Sequence, residues 1–293
     1  MRVKVILNPN AGHGRAAQEE ATVVKALTSL GVDFDLVRTS CPGDAVLLSR
    51  SSAENGYDVV CAMGGDGTVN EVINGIADTG AALAVIPVGT GNDFAAAIGA
   101  PKGDVSAACA ILARGNRRPM DLCRVNDRYF ASSFGAGFDA RVTKAANERF
   151  KRLGGIWTYI FAVMSVIWSF RPGTVRIVAD GRTISKSPLL VAVTNWRSYG
   201  GGMHICPGAE IDDGLFDVCI VDNVPILKFL YSFPRVIRGT HVTMPEVEMF
   251  RAKSVHISCS QMETYHVDGE VFEADEMELT LSPMGIDVVV GEV

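Results

Sequence analysis

The sequence predicts a mixed α/β protein with a parallel-sheet domain first and a β-rich, mostly antiparallel domain second. Strand and helix patterns alternate over the first 120 residues, which is typical of a parallel sheet covered by helices on both faces. After Pro119 the pattern changes to strands joined by tight turns. The 293 residues, of which 48% are hydrophobic, are enough for one large core or two smaller ones.

The first domain is predicted to span residues 1–121. Its apolar runs predict strands at 3–7, 33–38, 58–63 and 82–87. Amphipathic stretches between them predict helices at 15–30, 44–55, 68–76, 94–98 and 104–114. The alternation leaves each strand followed by a loop and a helix, as a parallel sheet requires.

The second domain is predicted to span residues 122–293. A hairpin is expected with its turn at 126–128, and another with its turn at Asp180–Gly181. Between them lies a helical stretch at 141–170, and further strands are expected at 216–221, 253–259, 263–267, 270–274 and 277–282. The apolar segment 286–290 is predicted to be a strand that returns to either domain.

Composition and charge exclude several classes of protein. There are 27 Lys and Arg against 33 Asp and Glu, a net charge of −6, which argues against binding nucleic acid through its phosphates. The seven cysteines are scattered and never form a C-x-x-C pair, so neither a disulfide framework nor a structural zinc site is expected. This pattern fits a reducing, cytoplasmic environment, and the short apolar run before Pro9 does not predict a signal peptide.

The segment from Leu153 to Phe170 is apolar and carries no charge over 18 residues. This length is near the lower limit for spanning a bilayer. We favour a buried helix between lobes over a transmembrane span. A helix that rests on a membrane surface stays open as the third interpretation.

Three glycine-bearing loops follow strands of the predicted parallel sheet: 8–12, 64–68 and 89–93. Each opens into a helix, whose unpaired N–H groups and partial positive charge suit phosphate oxygens. Ligands of such sheets lie beyond the carboxyl ends of the strands, so three loops at one edge predict a phosphate-bearing ligand. Taken singly, Thr68 and Asn92 are better explained as helix caps and Asp93 as a first-turn acid, but the three loops together, with Asp66 between glycines, favour a ligand site.

Other nucleotide and hydrolase motifs do not fit. No G-x-x-x-x-G-K-[ST] sequence occurs, which excludes a P-loop protein. Residues 12–17 match G-x-G-x-x-A, but Asn8–Ala11 separate them from the strand end, where a dinucleotide fingerprint needs an immediate turn. No G-x-S-x-G elbow is present.

The motifs N-P-x-A-G at 8–12, G-G-D-G-T-V-N-E-V at 64–72 and P-V-G-T-G-N-D-F at 87–94 together resemble the catalytic domain of the diacylglycerol kinase family. The likeness is greatest to the soluble bacterial lipid kinases, and sphingosine kinases are more distant. GGDGT alone is shared with NAD kinases and phosphofructokinases. The resemblance implies a Rossmann-like nucleotide-binding domain of the phosphofructokinase and NAD kinase type, an antiparallel β-sandwich domain, and an active site in the cleft.

The resemblance also implies roles for individual residues. ATP would be bound by one set in the first domain: Asn8, Pro9, Asn10, Ala11, Gly12, Thr39, Gly64, Gly65, Asp66, Gly67, Thr68, Val69, Asn70 and Thr90. Asp93 and Asp121 are further candidates for the Mg²⁺–ATP network. A Mg²⁺ would be held by Glu210, Asp213 and Leu215, with backbone carbonyls among its ligands, although the residues alone predict only an acidic turn.

The resemblance identifies Glu270 as the general base, with Asp268 beside it across Gly269. A kinase needs a carboxylate to accept the proton of the attacking hydroxyl. Without the resemblance, the D-G-E sequence predicts only an ordinary hairpin turn. His266 is the one histidine for which a role beyond packing is left open.

The expected function is transfer of the γ-phosphoryl group of ATP, with Mg²⁺, to a lipid hydroxyl, most simply that of diacylglycerol, to give phosphatidic acid. Two alternatives remain at this point: an NAD kinase-type enzyme with Asp66 as its base, and a catalytically silent nucleotide- or lipid-binding regulator. The expected partner is a lipid at the inner face of a membrane, to which the protein would be peripheral. The identity of the lipid and the existence of a homodimer are left open.

Overall fold

The structure is a computed structural model that describes residues 1–150, 153 and 155–291. It divides into two compact units. The first is formed by Met1–Leu122 together with the segment from Pro283 onward, and the second by Cys123–Ser282. Three residues within or just before the apolar segment 153–170 lie outside the described residues: Lys151, Arg152 and Gly154.

Strands and helices alternate along the N-terminal part of the first unit. In chain order they are β1 (Arg2–Leu7), α1 (Arg15–Ser29), β2 (Asp33–Arg38), α2 (Asp44–Glu54), β3 (Val59–Gly64), α3 (Asp66–Ile76), β4 (Ala82–Pro87), α4 (Asp93–Ala97), α5 (Val105–Arg114) and β5 (Arg117–Met120). Every residue of β3 and β4 is buried, because helices cover both faces of the sheet.

The second unit is dominated by strands. It contains β6 (Cys123–Val125), β7 (Arg128–Phe130), β8 (Ser133–Gly137), α6 (Phe138–Ala145), a π-helical turn (Ala146–Phe150), α7 (Gly155–Val166), β9 (Val175–Ala179), β10 (Arg182–Lys186), β11 (Pro188–Thr194), β12 (Phe216–Asp222), α8 (Ile226–Ile237), a 3₁₀ turn (Thr240–Thr243), β13 (Val247–Ala252), β14 (Ser254–Val267) and β15 (Glu270–Leu281). The last strand, β16 (Ile286–Val289), belongs to the sheet of the first unit.

The fold class predicted from the sequence is confirmed. In the described residues the first sheet has the order β2-β1-β3-β4-β16-β5, and its neighbours are parallel except for β5 against β16. The carboxyl ends of β1, β3 and β4 therefore lie at one edge. The second sheet is antiparallel, with the order β13-β12-β11-β8-β14-β15-β6-β7; β9 also pairs with β14, and β10 pairs with β9.

Each unit has its own apolar core. In the first, residues of β1, β3 and β4 pack against α1 and α5, with Val289 of β16 included. In the second, the cluster is built around Phe130, Phe134 and Phe216, whose side chains are fully buried. These cores keep the ends of the strands, and hence the loops that follow them, in fixed positions.

Several predicted elements of the second unit are wrong in extent. The segments 253–259 and 263–267 form one strand, β14, which has a register shift between Ser258 and Glu263. The segments 270–274 and 277–282 form β15. Ser260, Gln261 and Met262, between the two predicted segments, are exposed to solvent but belong to the continuous strand β14.

The helical part of the second unit also differs from the prediction. The stretch predicted at 141–170 begins earlier, at Phe138, because Gly137 ends β8 with a φ of 84°. It consists of α6, a π-helical turn and α7. Helix α8 was not predicted: it contains Pro234, a residue that normally interrupts helices.

Candidate active site

The loops after β1 and β3 are joined by hydrogen bonds. The backbone N–H of Asn8 donates to the carbonyl of Met63 at 3.1 Å. Its side-chain amide donates to the hydroxyl of Thr68 at 3.0 Å. Thr68 lies within the first turn of α3, after the N-cap Gly65, so the prediction that it caps the helix is wrong and it instead ties the two loops together.

Glycines allow the loops to approach closely. A Cβ at Gly12, where φ is +60°, would collide with the carbonyl oxygen of Val88. A Cβ at Gly65 would lie 3.2 Å from the Cα of Gly89, and one at Gly89 would collide with Gly65. The three loops therefore meet at one edge of the sheet, in an arrangement that larger residues would prevent.

Asp66 connects the second and third glycine loops. Its Oδ1 accepts a hydrogen bond from the backbone N–H of Phe94 at 3.1 Å, in the first turn of α4. A Cβ at Gly91 would lie 2.9 Å from its Oδ2. The acid that the sequence places between glycines is thus held by the neighbouring loop.

The alternative prediction that the side chain of Asn92 caps α4 is wrong, because that side chain makes no capping hydrogen bond. Asn92 adopts a left-handed conformation with φ of 56°, and its amide donates back to the carbonyl of Gly89 at 2.7 Å. Its Oδ1 is buried with no hydrogen-bond partner in the described residues. Lys102, which sequence reasoning missed, donates to the carbonyl of Gly91 at 3.0 Å and brings a positive charge to this loop.

The remaining predicted nucleotide residues differ in accessibility. Asn10 and Thr90 are exposed, while Pro9, Ala11, Thr39 and Asp93 are half-buried. Thr39 follows β2 and donates its backbone N–H to the carbonyl of Leu7 at 2.9 Å. Val69 and Asn70 are buried in α3, so their side chains contribute to packing at this edge of the sheet. Asp121 is half-buried after β5.

The Asp268–Gly269 turn connects β14 and β15 in the second unit. Both residues have positive φ, 46° and 88°, as a tight hairpin turn requires. The carboxylate of Asp268 accepts three backbone N–H groups, from Ala131 at 2.8 Å, Ser132 at 3.0 Å and Ser133 at 2.9 Å. Asp268 therefore anchors the turn against the segment that leads into β8.

Glu270 is the first residue of β15, directly after this turn. Its carboxylate forms an ion pair with the Arg128 guanidinium at 3.1 Å. The side chain is half-exposed, so an external hydroxyl can approach it. The hairpin thus carries two carboxylates: backbone N–H groups hold that of Asp268, and that of Glu270 lies at the surface.

A buried polar chain adjoins β14. Asp139 Oδ2 accepts hydrogen bonds from the Tyr199 hydroxyl at 2.5 Å and from His266 Nε2 at 2.9 Å. Burial, together with the neighbouring Asp139, raises the pKa of Tyr199 well above its usual range, so its hydroxyl stays protonated and donates. Sequence reasoning missed Asp139 and Tyr199, because no local motif links residues that far apart in the chain.

The acidic loop before β12 contains the residues expected to hold Mg²⁺. Asp213 Oδ1 accepts the backbone N–H of Leu215 at 3.1 Å, and Arg251 lies 3.2 Å from Asp213 Oδ2. Glu210 is exposed. Burial raises the pKa of the neighbouring Asp217 carboxyl, while Arg251, 3.5 Å away, opposes this shift.

The donor set of this loop fits a hard divalent cation, which prefers oxygen ligands. Asp213 Oδ2 is buried, and the Arg251 guanidinium 3.2 Å away forms an ion pair with it without hydrogen-bond geometry. Within the same residues, no three Asp, Glu, His or Cys side chains cluster as a metal site. A cation held here would therefore take fewer than three such side chains as ligands, and backbone carbonyls would have to supply the rest.

The apolar segment does not form a membrane span in the described part of the chain, where no helix is both long and apolar enough to cross a bilayer. Helix α7 has 12 residues and a length of about 18 Å, against roughly 30 Å for a bilayer core.

Comparison with known proteins covers nearly the whole chain. The family model for the diacylglycerol kinase catalytic domain matches residues 2–125, and that for the YegS C-terminal NAD kinase beta sandwich-like domain matches residues 132–290. A diacylglycerol kinase of Bacillus subtilis (strain 168) is 32% identical over 92% of this chain and 89% of its own length. A diacylglycerol kinase of Mycobacterium tuberculosis (strain ATCC 25618 / H37Rv) is 33% identical over 98% and 94%.

Solved structures agree with these matches. A candidate diacylglycerol kinase from Bacillus anthracis str. Sterne superposes with a TM-score of 0.85 at 26% identity, covering 99% of this chain and 97% of that one. The resemblance inferred from the glycine motifs is confirmed, and the second unit is the antiparallel β-sandwich domain that it implied. The chain therefore belongs to the diacylglycerol kinase family and is a lipid kinase.

Proposed function

We propose that this lipid kinase uses ATP and Mg²⁺ to phosphorylate diacylglycerol, giving phosphatidic acid and ADP. The observation that carries the choice of acceptor is the similarity to proteins named diacylglycerol kinase over more than nine-tenths of the chain. In the reaction the lipid oxygen forms a bond to the γ-phosphorus as the bond from that phosphorus to the β,γ-bridging oxygen breaks. The bridging oxygen leaves with the electron pair on ADP.

The glycine loops of the first unit bind the triphosphate in this proposal. The starts of α3 and α4 direct backbone N–H groups and a partial positive charge toward the edge where the loops meet. Lys102 adds a positive charge beside Gly91. The Asp66 carboxylate is hydrogen-bonded to the Phe94 N–H, which suits a role in fixing the loops better than the role of a base.

Glu270 accepts the proton of the lipid hydroxyl. Its half-exposed carboxylate lies at the end of a hairpin that Asp268 anchors through three hydrogen bonds, so its position is well defined. Asp268, whose acceptor oxygens are already engaged, acts as a positioning residue.

Glu210, Asp213 and the carbonyl of Leu215 would hold a Mg²⁺ in the acidic loop. When bound, that ion supplies positive charge that offsets the carboxylates of the loop. The hydrogen bond from the Leu215 N–H to Asp213 Oδ1 keeps the turn before β12 in place and would orient this carboxylate toward a cation.

The test is phosphoryl transfer from ATP labelled on its γ-phosphate to a panel of acceptors in mixed micelles. The panel contains diacylglycerol, monoacylglycerol, phosphatidylglycerol, a sphingoid base and NAD. We expect label in diacylglycerol, and a fall in kcat of about 10²- to 10⁴-fold in Glu270→Gln. Glu273→Gln is the matched control, since Glu273 lies on the same strand and also forms an ion pair, with Lys144 at 3.7 Å.

Other outcomes separate the alternatives. Label in NAD would replace the proposal with an NAD kinase-type reaction, and label in another lipid would change only the acceptor. ATP binding without transfer to any acceptor would favour a silent regulator. Full activity of Glu270→Gln would exclude Glu270 as the base.

A further inference from the structure

Arg128, the first residue of β7, forms an ion pair with the proposed base. Its Nη2 lies 3.1 Å from Glu270 Oε2, and the two side chains are 36% and 37% exposed. An ion pair that solvent reaches to this extent contributes little to the stability of a protein. The contact is therefore of interest for where it places the Glu270 carboxylate.

A stack of aromatic rings supports the guanidinium of Arg128. The Arg128 Cζ lies 4.6 Å from the centroid of the Phe272 ring, within the range of a cation–π contact. The Phe272 ring lies 5.6 Å from the ring of Tyr265, which in turn lies 5.5 Å from that of Phe134. Phe134 is fully buried in the core of the second unit. The guanidinium is thus fixed against the core through three rings.

The Nε of Arg128 is buried and has no hydrogen-bond partner among the described residues. A buried donor left without a partner costs stability, so its presence in a folded protein calls for an explanation. A residue that served stability alone would not carry this cost. The contact of Nη2 with Glu270 supplies the explanation, because only a long side chain with a planar, charged end makes it.

The residues that follow β7 hold the other carboxylate of the same hairpin. Three consecutive backbone N–H groups, at 131–133, donate to the Asp268 carboxylate over 2.8, 3.0 and 2.9 Å. The segment 128–133 therefore fixes the turn through Asp268 and the side chain of Glu270 through Arg128. A base must lie within hydrogen-bond reach of the proton that it accepts, so both contacts serve its placement.

We propose that Arg128 is a positioning residue, which orients the Glu270 carboxylate toward the hydroxyl of the lipid acceptor. The inference rests on the proposed function, in which Glu270 accepts the proton of that hydroxyl. The Glu270 side chain can rotate about its single bonds, and the contact at Oε2 selects one orientation. Arg128 acts through the base and does not itself exchange a proton.

The first test is a double-mutant cycle in the phosphoryl-transfer assay, with the acceptor that the wild type labels. We expect Arg128→Gln to lower kcat about tenfold or more and to change the KM for ATP by less than about threefold. In the Glu270→Gln background the same change should lower kcat by less than about twofold, because no base remains to be oriented. A merely structural role would lower kcat by the same factor in both backgrounds.

Arg124→Gln is the matched control, because Arg124 makes the same kinds of contact on the neighbouring strand β6. It forms an ion pair with Asp127 at 3.0 Å, and its Cζ lies 5.9 Å from the centroid of the Tyr129 ring. Its ion-pair partner is not the proposed base, so we expect kcat to change by less than about twofold.

Two rescue experiments separate the role of the guanidinium from that of its charge. Arg128→Lys keeps the charge but lacks the planar fork, so it should recover only part of the wild-type kcat. Guanidinium ion at millimolar concentration should raise the kcat of Arg128→Ala and leave that of Glu270→Gln unchanged. Should Arg128→Gln fail to fold, Arg128→Lys replaces it in the double-mutant cycle.

Chemical modification of Glu270 supplies a measurement that does not depend on catalysis. A water-soluble carbodiimide with an amine converts accessible carboxylates to amides, and mass spectrometry of the peptide that contains Glu270 gives the rate. We expect an increase in this rate in Arg128→Gln, because the guanidinium no longer covers the carboxylate. The rate in Arg124→Gln should equal that of the wild type.

Wild-type activity of Arg128→Gln, or equal losses of kcat in the two backgrounds, would overturn the proposal and leave the proposed function intact. Full activity of Glu270→Gln would exclude Glu270 as the base, and the positioning role of Arg128 with it. Absence of transfer to any acceptor would overturn the proposed function, and the modification rates would then decide whether Arg128 holds Glu270.

Discussion

Cys41 is an exposed thiol two residues after Thr39, in the loop that follows β2. Its Sγ donates to Asp44 Oδ1 at 3.2 Å, and Asp44 Oδ2 also accepts the backbone N–H groups of Ser40 and Cys41. The carboxylate stabilises the protonated thiol, so the pKa of Cys41 is raised above its ordinary value of 9.0. At neutral pH the thiolate fraction is therefore low.

We expect Asp44→Asn to increase the rate at which Cys41 reacts with a thiol reagent at pH 8. Removal of the negative charge lowers the thiol pKa, so more thiolate is present, and the midpoint of the pH–rate profile moves to lower pH. Saturating ATP should slow the reaction in both proteins because Thr39 is a proposed nucleotide contact. Cys41→Ser provides the baseline, and an unchanged profile in Asp44→Asn would show that the carboxylate does not control this thiol.

Residue-scale features are predictable from the sequence where the chemistry is local. The glycines and Asp66 belong to short motifs, and Glu270 follows a recognisable D-G-E sequence. The contact of Asp139 with His266 joins residues 127 positions apart, and no local pattern indicates such a pair. The three donors to Asp268 are similarly distant, so the anchoring of the turn emerges only from the fold.

At the scale of elements, Gly67 in α3 is a position where the fold leaves room for a side chain, so only a bound ligand would need that space. It lies in the first turn of α3, its φ is not in the left-handed region, and a Cβ there would meet nothing within 4 Å. By contrast, a Cβ at Gly12 would collide with Val88. Nothing in the described part of the fold therefore requires glycine at position 67.

We expect Gly67→Ala to bind ATP at least about tenfold more weakly while its free energy of unfolding without ATP is unchanged or up to about 1 kcal/mol higher. Alanine favours the helix, but its methyl group would occupy space next to the phosphates. Calorimetric titration and urea unfolding measure the two effects. Gly12→Ala is the contrasting variant and should lose stability as well, whereas full ATP affinity in Gly67→Ala would place the phosphates elsewhere.

Elements of the first unit were predictable because buried strands and amphipathic helices alternate in a regular way. The second unit was harder to predict for two physical reasons. Long strands such as β14 are half exposed, so polar residues within them do not indicate an end. Helix α8 contains Pro234, and Pro225 is its N-cap residue without a side-chain hydrogen bond, so its sequence lacks the usual start signal.

At the scale of the whole molecule, the chain passes between the two units twice, near residues 122 and 283. After leaving the second unit it forms β16, which lies between β4 and β5. Val288 is buried and pairs with Leu83 on one side and Arg118 on the other. The proposed ATP loops thus depend on a strand that is distant from them in sequence.

We expect Val288→Asp to lower the free energy of unfolding by about 3 kcal/mol or more, because an unpaired carboxylate would be buried in the first sheet. Asp287→Ala, at the neighbouring exposed position, should change it by less than about 0.5 kcal/mol. ATP at about one hundred times its Kd should restore about 2.7 kcal/mol, since it binds only the folded first unit. Scanning calorimetry with and without ATP measures these differences. Wild-type stability in Val288→Asp would show that β16 is dispensable to the core that supports the nucleotide loops.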